Sequence, residues 1–327
     1  MSFSTSPKSL IIGGSGQDGA YLAKFLLSKG YSVWISSRVG EHNSFSNLLS
    51  LGINNKINII QLDILNLDAI KKAIDKIKPD EIYNLAGQSS VGLSFDKPIE
   101  TIQSISIGTL NILEAIRLLS SNTRFYNAGS SEIFGDTNGF HADELTPFRP
   151  LSPYGSAKAS ATRDVAIYRE SYGLYACTGI LFNHESPLRP EKYVTKKIVK
   201  SACRISKGSD EKLCLGNINI IRDWGYAAEY VEQMWGMLQL NTPEDFIIGT
   251  GDSITLASLV EGSFAYFDLD WNDYVVIDPS IFRASEIKVS AANPEKAEKI
   301  LGWRAKNQAI DVIKIMIMAE IKKLEMQ

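Results

Sequence analysis

A tyrosine and a lysine four residues apart, Tyr154 and Lys158, have the types and spacing that suit redox chemistry. On a helix, positions i and i+4 lie on one face, so the phenol and the ammonium become neighbours. A tyrosine with its ordinary pKa near 10 is a weak base at neutral pH, and a nearby ammonium favours the phenolate. The pair therefore predicts a base that takes a hydroxyl proton while hydride leaves the same carbon.

Ser130 and Glu132 precede this pair, just after an apolar run that predicts a strand ending at Ala128. A serine hydroxyl at this place can orient the reacting alcohol or carbonyl. Oxidation of an alcohol needs only one base, so Glu132 indicates a further step, removal of the proton alpha to a new carbonyl. Loss of a hydroxyl from the next carbon would then complete a dehydration. The alternative interpretation of Glu132 is a helix-capping or surface glutamate.

A glycine-rich segment near the N-terminus predicts a phosphate-binding loop. It lies between an apolar run and a helical pattern, and glycine allows the backbone to turn tightly beside a pyrophosphate. The N-terminus of the following helix offers N–H groups and the positive end of a dipole. We predict that a dinucleotide binds at Gly13, Gly16, Gln17, Asp18 and Gly19.

The glycine spacing resembles that of the short-chain dehydrogenases, and this resemblance implies two further contacts. Asp63 would contact the adenine, and Leu85 and Ala86 would lie beside the nicotinamide. The second predicted strand ends at Ser37 and Arg38, without an acidic residue for the ribose 2′-hydroxyl. These two side chains can hold a 2′-phosphate, so we predict NADP as the cofactor, with NAD as the alternative.

Short apolar runs alternate with amphipathic stretches, which predicts a parallel sheet covered by helices on both faces. The expected strands are 9–13, 32–36, 57–62, 81–85, 124–128 and 175–182, and the expected helices are 20–29, 67–77, 107–119 and one beginning near Pro153. We predict an α/β fold: a Rossmann-type doubly wound sheet in residues 1–182. A smaller mixed α/β substrate region follows in residues 183–327, with some segments returning to the first domain.

The composition excludes several classes of function. The chain has 327 residues, 44% of them hydrophobic, and a formal net charge of -3, which gives no general attraction to nucleic acid or to anionic membranes. No apolar run approaches the roughly 20 residues that span a bilayer. There is no signal-peptide pattern, and the three cysteines lack metal-ligand spacing. We predict a cytoplasmic enzyme without a metal.

Several longer stretches resemble the GDP-mannose 4,6-dehydratases, which are extended short-chain dehydrogenases/reductases, over nearly the whole chain. The most specific are GILFNHESP at 179–187, LGN at 215–217, RDWG at 222–225 and FRASE at 282–286. Further matches lie at 16–22, 82–86, 152–155, 169–173 and 243–246. The resemblance implies conversion of GDP-mannose to a 4-keto-6-deoxy sugar.

The resemblance also implies roles for individual residues. Ser130 would assist the hydride step, Glu132 would be the base at C5, and Tyr154 with Lys158 would perform the oxidation. The nucleotide sugar would be bound by Ser89, Asn183, Glu185, Val194, Lys197, Gly216, Arg222, Arg283 and Glu286. For His184 we favour a structural role over a catalytic one.

The sequence departs from the family pattern at several positions. Arg38 is followed by Val39 rather than a second arginine, and Ser90 stands where histidine is usual. The family forms dimers or tetramers, and we expect a homodimer or homotetramer here. Two alternative functions stay open. The first is an enzyme for another GDP-sugar, such as a GDP-manno-heptose, which could be a dehydratase, a C4 reductase or an epimerase. The second is a cofactor-binding protein that has lost catalysis.

Overall fold

The structure is a computed structural model that describes residues 6–38, 45–119, 122–282 and 285–325. Its strands are β1 Lys8–Ile12, β2 Ser32–Ser37, β3 Asn58–Gln61, β4 Glu81–Asn84, β5 Arg124–Ala128, β6 His141–Ala142, β7 Ala176–Leu181, β8 Asn183–Glu185, β9 Leu213–Leu215, β10 Ile221–Tyr226, β11 Phe246–Ile248, β12 Ser253–Thr255, β13 Val275–Ile277 and β14 Val289–Ala292.

The helices are α1 Gln17–Ser28, α2 Ser46–Ser50, α3 Leu67–Ile77, α4 Val91–Asp96, α5 Pro98–Ile102, α6 Gly108–Leu118, α7 Pro153–Tyr172, α8 Val194–Ile205, α9 Ala227–Met237, α10 Leu256–Ala265, α11 Glu295–Leu301 and α12 Ala309–Glu325. A π-helical turn, Gln103–Ile107, joins α5 to α6. A 3₁₀ turn, Ser131–Ile133, follows β5.

The largest sheet has the strand order β11-β7-β5-β4-β1-β2-β3. Its neighbours from β7 to β3 pair in parallel. Leu10 and Ile11 in β1 are fully buried, as expected for a strand covered by helices on both faces. The chain winds outward from β1 in both directions, so the topological switch point lies between β1 and β4. In such sheets ligands bind beyond the carboxyl ends of the strands at this point.

The chain forms two compact units. The first consists of residues 1–133, 148–181 and 231–246, and the second of residues 134–147, 182–230 and 247–327. A functional division of the chain between residues 182 and 183 stays a prediction.

The second unit contains a mixed sheet with the order β12-β10-β14-β6, in which β8 also pairs with β10. A separate parallel pair is formed by β9 and β13. Helices α8, α10 and α12 bury a shared apolar core, which includes Ile198, Leu259 and Ile313. This core is distinct from the one beneath the first unit's sheet, where Ile12, Ile82 and others pack.

The predicted Rossmann-type α/β fold is confirmed. The helix predicted at 67–77 and the strand predicted at 124–128 have the observed bounds, and α7 begins at Pro153 as predicted. The predicted helix 107–119 is the observed α6, preceded by the unpredicted π turn. Cys177 in β7 is fully buried, where a cysteine packs as a small hydrophobic residue. Within the described ranges no helix is long and apolar enough to cross a membrane.

Candidate active site

Helix α7 carries Tyr154 and Lys158 in its first two turns. Its start is well defined: the Ser152 side chain accepts a hydrogen bond from the Gly155 N–H at 3.0 Å, and Pro153 occupies the first helical position. The helix ends at Tyr172 and is capped by Gly173, which has a left-handed conformation (φ 68°). Tyr154 therefore lies in a capped first turn, where its backbone position is fixed.

The Lys158 ammonium is held by the end of the neighbouring strand. Its Nζ donates a hydrogen bond of 2.6 Å to the Ala128 carbonyl oxygen and lies 5.9 Å from the Tyr154 ring centroid. Burial lowers the pKa of Lys158 to about 8, because the charged form loses hydration, and the charge of Asp18 opposes that shift. The ammonium thus stands close to the phenol and loses its proton at mildly alkaline pH.

This lowered pKa predicts an alkaline limit to activity. As the pH rises through about 8, Lys158 becomes neutral and no longer stabilises the Tyr154 phenolate, so kcat/KM should fall. A pH–rate profile measures this directly. In Lys158→Arg, whose guanidinium keeps its proton, the remaining activity should lack that alkaline decline. An unchanged decline in the variant would assign the limit to another group.

Ser130 and Glu132 lie at the carboxyl end of β5, in and beside the 3₁₀ turn. The Glu132 N–H donates a hydrogen bond of 3.3 Å to Ser130 Oγ, so the Ser130 hydroxyl is held against the backbone of Glu132. A Cβ added to Gly155 would lie 2.6 Å from the Glu132 carbonyl oxygen. The first turn of α7 therefore packs directly on this turn, and the structure brings Ser130, Glu132 and the residue next to Tyr154 together.

The glycine loop has the shape that a pyrophosphate requires. Gly13 has a φ of +87°, and a Cβ there would lie 2.9 Å from the backbone nitrogen of Ala86. Among the described residues, a Cβ at Gly16 would meet only the Gly13 carbonyl oxygen, at 3.5 Å, which leaves room above this residue. Gly16 is also the N-cap of α1 and has no side chain that could cap it. The loop therefore fits a dinucleotide phosphate.

Two other predicted cofactor positions lie close to this loop. The Leu85 N–H donates to the Ile12 carbonyl at 2.8 Å, which places the Leu85–Ala86 turn against Gly13. The Gln17 side chain, at the start of α1, donates a hydrogen bond of 3.0 Å to the Asp18 carboxylate. The turn after β4 and the glycine loop after β1 thus form one surface at the switch point.

Ser37, Arg38 and Asp63 lie at the carboxyl ends of β2 and β3. Ser37 pairs with Gln61 in the sheet, and the Gln61 side chain donates to the Arg38 carbonyl oxygen at 3.1 Å. Arg38 is exposed, and the Asp63 carboxylate accepts from the Leu65 N–H at 3.0 Å. The three predicted residues therefore share the edge where an adenosine ribose would lie.

The sequence did not reveal three supporting contacts in the first unit. The Asn47 side chain donates to the Ser15 carbonyl oxygen at 3.0 Å, which fixes the glycine loop from α2. The Asn84 side chain donates hydrogen bonds to Thr109 Oγ1 at 3.0 Å and to Asn127 Oδ1 at 3.2 Å. These bonds form a buried network that joins β4, β5 and α6. Because each partner is distant in the chain, no local pattern could have indicated these pairs.

Ser89, the one predicted substrate residue of the first unit, lies in the loop between β4 and α4.

In the second unit, Lys197 on α8 lies close to Gly216. The Lys197 side chain donates a hydrogen bond of 2.6 Å to the carbonyl oxygen of Cys214 in β9, shortly before Gly216. A Cβ at Gly216 would lie 3.4 Å from the Ile281 carbonyl. Lys197 and Gly216 are thus brought together. Val194 starts α8, and Asn183 pairs with Trp224 between β8 and β10.

Arg222 and Glu286 also lie near each other, with 3.9 Å between Arg222 Nη2 and Glu286 Oε1. Arg222 is only 5% exposed, and its guanidinium donates to the carbonyls of Ile221, Ile287 and Lys288. Its charge therefore already joins β10 to the segment before β14. Arg283 lies outside the described residues.

Glu185 and His184 have mainly structural surroundings. Glu185 is 2% exposed. Its carboxylate accepts a hydrogen bond of 2.6 Å from Thr195 Oγ1 and lies 3.0 Å from Arg189 Nε. His184 Nδ1 lies 2.7 Å from the Phe182 carbonyl oxygen, and its ring lies 5.0 Å from that of Tyr230. These contacts agree with the structural role favoured for the histidine. Among the described residues no group of acidic, histidine or cysteine side chains could hold a metal ion.

The fold and the glycine loop, with a tyrosine–lysine pair on the helix that packs on the Ser130–Glu132 turn, define a Rossmann-type enzyme of the short-chain dehydrogenase/reductase class. Solved structures with the same fold include a UDP-glucose 4-epimerase from Thermotoga maritima (TM-score 0.86, 22% identity, 97% of this chain and 99% of that one). Another is the dTDP-glucose 4,6-dehydratase of Bacillus anthracis in complex with NAD (TM-score 0.85, 20% identity, 98% of both chains).

Sequence comparison identifies the family within that class. The family model described as GDP-mannose 4,6 dehydratase matches residues 10–316. GDP-mannose 4,6 dehydratase 1 of Arabidopsis thaliana is 42% identical over 94% of this chain and 88% of its own length. The GDP-mannose 4,6-dehydratase of Vibrio cholerae is 39% identical over 96% of this chain and 94% of its own. The chain belongs to the GDP-mannose 4,6-dehydratase family.

Proposed function

We propose that this protein converts GDP-mannose to GDP-4-keto-6-deoxymannose, as a lyase that regenerates its own nicotinamide cofactor. The observation that carries the proposal is the packing of the Ser130–Glu132 turn against the first turn of α7, which places the Glu132 backbone against Gly155, the residue next to Tyr154. The family membership and the 42% identity to a plant GDP-mannose 4,6 dehydratase support the same reaction.

Gly13, Gly16 and the start of α1 would hold the pyrophosphate of the cofactor, and Leu85 and Ala86 would lie beside its nicotinamide. When bound, the nicotinamide supplies the acceptor and later the donor of hydride. Gln17, Asp18, Gly19 and Asp63 complete this binding surface. The open space at Gly16 supports the assignment, since, apart from its chain neighbours, no atom in the described part of the chain lies closer than 3.5 Å to a Cβ built there.

The chain's own side chains move the protons. Tyr154, as a phenolate stabilised by the Lys158 ammonium, takes the C4 hydroxyl proton, while Ser130 orients the C4 oxygen. Once C4 is a carbonyl, the C5 proton is acidic, and Glu132 removes it. The same carboxyl group returns a proton to the hydroxyl that leaves C6 as water. Once hydride has been returned to C6, C5 would take up one proton, which balances the proton that Tyr154 accepted from the C4 hydroxyl, so the 4-keto-6-deoxy sugar would form without net consumption of the cofactor.

The nucleotide and sugar contacts are proposed to come from Ser89 and from two residue pairs. Lys197 with Gly216 forms one pair, and Arg222 with Glu286 forms the other. Asn183, Val194 and Arg283 complete the set, while a substrate contact of the buried Glu185 stays a prediction from the sequence. Because the protein as a whole has a net charge of -3, a diphosphate must be bound by local cationic side chains such as these. Arg222 acts through its backbone contacts as well, because its guanidinium holds the segment beside Glu286.

NADP is the proposed cofactor, because Ser37 and the exposed Arg38 end β2 where an acidic residue would select NAD. In Arg38→Ala we expect the Kd for NADP to rise about 10- to 100-fold, since a hydrogen bond to a charged group contributes about 1.5–3 kcal/mol. The Kd for NAD should change little. Fluorescence titration measures both, with Arg304→Ala as an exposed-arginine control. Equal loss for both cofactors would reject the NADP assignment.

The direct test of the function is incubation of the purified protein with GDP-mannose and a catalytic amount of NADP. We expect loss of one water by mass spectrometry and a C4 keto signal by NMR. If the protein binds the cofactor but leaves GDP-mannose unchanged, the proposed substrate is wrong, and other GDP-sugars such as a GDP-manno-heptose become the candidates. Net oxidation of NADPH with a 4-keto substrate would instead indicate a C4 reductase.

The active assembly is proposed to be a homodimer or homotetramer, which light scattering at working concentration measures. The cytoplasmic location stays a prediction from the cysteine pattern of the sequence.

A further inference from the structure

The π turn Gln103–Ile107 lies between the catalytic helix and the turn beside the nicotinamide. It interrupts what would otherwise be one continuous helix from Pro98 to Leu118. A π turn inserts one extra residue into a helix and is unfavourable unless other contacts stabilise it, which is why such turns are frequent at functional sites. The contacts made by Ser104, Ile105 and Ser106 identify what this turn stabilises.

On one side the turn contacts the loop after β4. Ser104 Oγ accepts a hydrogen bond of 3.2 Å from the Gln88 N–H. Gly87 has a φ of +132°, and a Cβ there would lie 2.9 Å from Ile105 Cγ1. Ile105 is therefore packed directly against the backbone that follows Leu85 and Ala86.

On the other side the turn contacts α7. Ile105 is 2% exposed and packs with Ala157 and Ala161, and Tyr154 packs against this same cluster. Positions 154, 157 and 161 lie on one face of the helix, and the two alanines allow close approach. The buried Ser106 hydroxyl donates a hydrogen bond of 3.0 Å to the carbonyl oxygen of Ala157, the residue before Lys158. Neighbouring residues of the turn thus support the ring of Tyr154 and the backbone that carries Lys158.

We propose that the π turn is the element that positions Tyr154 for hydride transfer, with Ile105 and Ser106 as positioning residues. Because Ile105 contacts both the tyrosine's cluster and the loop beside the nicotinamide, it sets the distance between the phenol and the reacting carbon of a bound substrate. The assignment rests on the proposed dehydratase function, in which Tyr154 acts in the oxidation and Glu132 in the elimination. Ile105 and Ser106 touch neither the sugar nor the cofactor in this account.

The test compares Ile105→Ala with Gln103→Ala, an exposed residue of the same turn. In Ile105→Ala we expect kcat to fall about 10- to 100-fold, because a small misplacement of a reacting group has effects of this size. KM for GDP-mannose should stay within about 2-fold, since the substrate contacts are intact. With substrate deuterated at C4, the isotope effect on kcat should increase, because hydride transfer becomes slower than elimination. Gln103→Ala should match the wild type.

Ser106 provides a second comparison that does not depend on cavity formation. Ser106→Ala should lower kcat and enlarge the isotope effect, and Ser106→Thr, which retains the hydroxyl, should restore both. If Ile105→Ala does not fold, Ile105→Val and this serine pair decide the question. The proposal would be overturned if these variants had a lower melting temperature but an unchanged kcat and isotope effect. The turn would then have a purely structural role.

A measurement without substrate separates this proposal from the dehydratase function. The ionisation of Tyr154 in the protein with bound NADP can be followed by ultraviolet difference absorbance, with Tyr154→Phe subtracted. We expect its titration midpoint to move to higher pH in Ile105→Ala, because the ring is no longer held beside Lys158. An unchanged midpoint contradicts the positioning role. A wild type that titrates as expected but does not convert GDP-mannose contradicts the substrate alone.

Discussion

Replacement of Glu132 by glutamine should stop dehydration while leaving alcohol oxidation intact. Glutamine has nearly the same shape but cannot accept the C5 proton, and a positioned general base contributes about 10²- to 10⁴-fold to a rate. We expect product formation to fall by about 10³-fold. In a single turnover, the near-ultraviolet absorbance of reduced nicotinamide should appear and persist, because the 4-keto sugar cannot proceed.

Glu261→Gln is the matched control, since Glu261 is an exposed glutamate on α10. It should retain the wild-type rate. In deuterated water the wild type should incorporate deuterium at C5, and Glu132→Gln should not. Dehydration at more than about a tenth of the wild-type rate in Glu132→Gln is far above what loss of a general base allows, and would assign the C5 proton to another residue.

Replacement of Tyr154 by phenylalanine should stop the reaction one step earlier. The ring would still pack against Ile105, Ala157 and Ala161, so the fold and the cofactor site should be preserved. Without the phenol no group takes the C4 hydroxyl proton, and we expect the rate to fall by about 10³-fold. No reduced nicotinamide should appear in a single turnover, in contrast to Glu132→Gln.

Tyr172→Phe, an exposed tyrosine on the same helix, controls for loss of a phenol as such. Its rate should match the wild type. If Tyr154→Phe still reduced the cofactor in one turnover, the proton would leave by another path, and the assignment of Tyr154 as the base would be wrong. Together the two active-site variants separate the oxidation from the elimination.

The sequence predicted those parts of the fold that depend on local pattern. Residues 67–77 have apolar side chains at helical spacing, with Asn66 as N-cap, and the helix has the predicted bounds. Ser152 and Pro153 likewise define the start of α7, which places Tyr154 and Lys158 on one face. The glycine loop follows from the need for positive φ at Gly13.

The remaining features depend on contacts between distant residues, and no local pattern indicates them. The Lys158 ammonium binds the Ala128 carbonyl 30 residues earlier, and Arg222 binds carbonyls 65 and 66 residues later. The π turn depends on Gly87 and Ala157, neither of which is near it in sequence. The division into units is also non-local, because residues 134–147 and 231–246 belong with partners far along the chain.

The central claim is that one sugar is oxidised at C4 and reduced at C6 within a single active site. The most direct measurement uses GDP-mannose deuterated at C4, in ordinary water with catalytic NADP, and locates the label in the product by NMR. We predict that the deuterium is found at C6 of the 4-keto-6-deoxy product, with the cofactor unlabelled and unconsumed. Deuterium retained at C4, lost to water, or accumulated on the nicotinamide would contradict it.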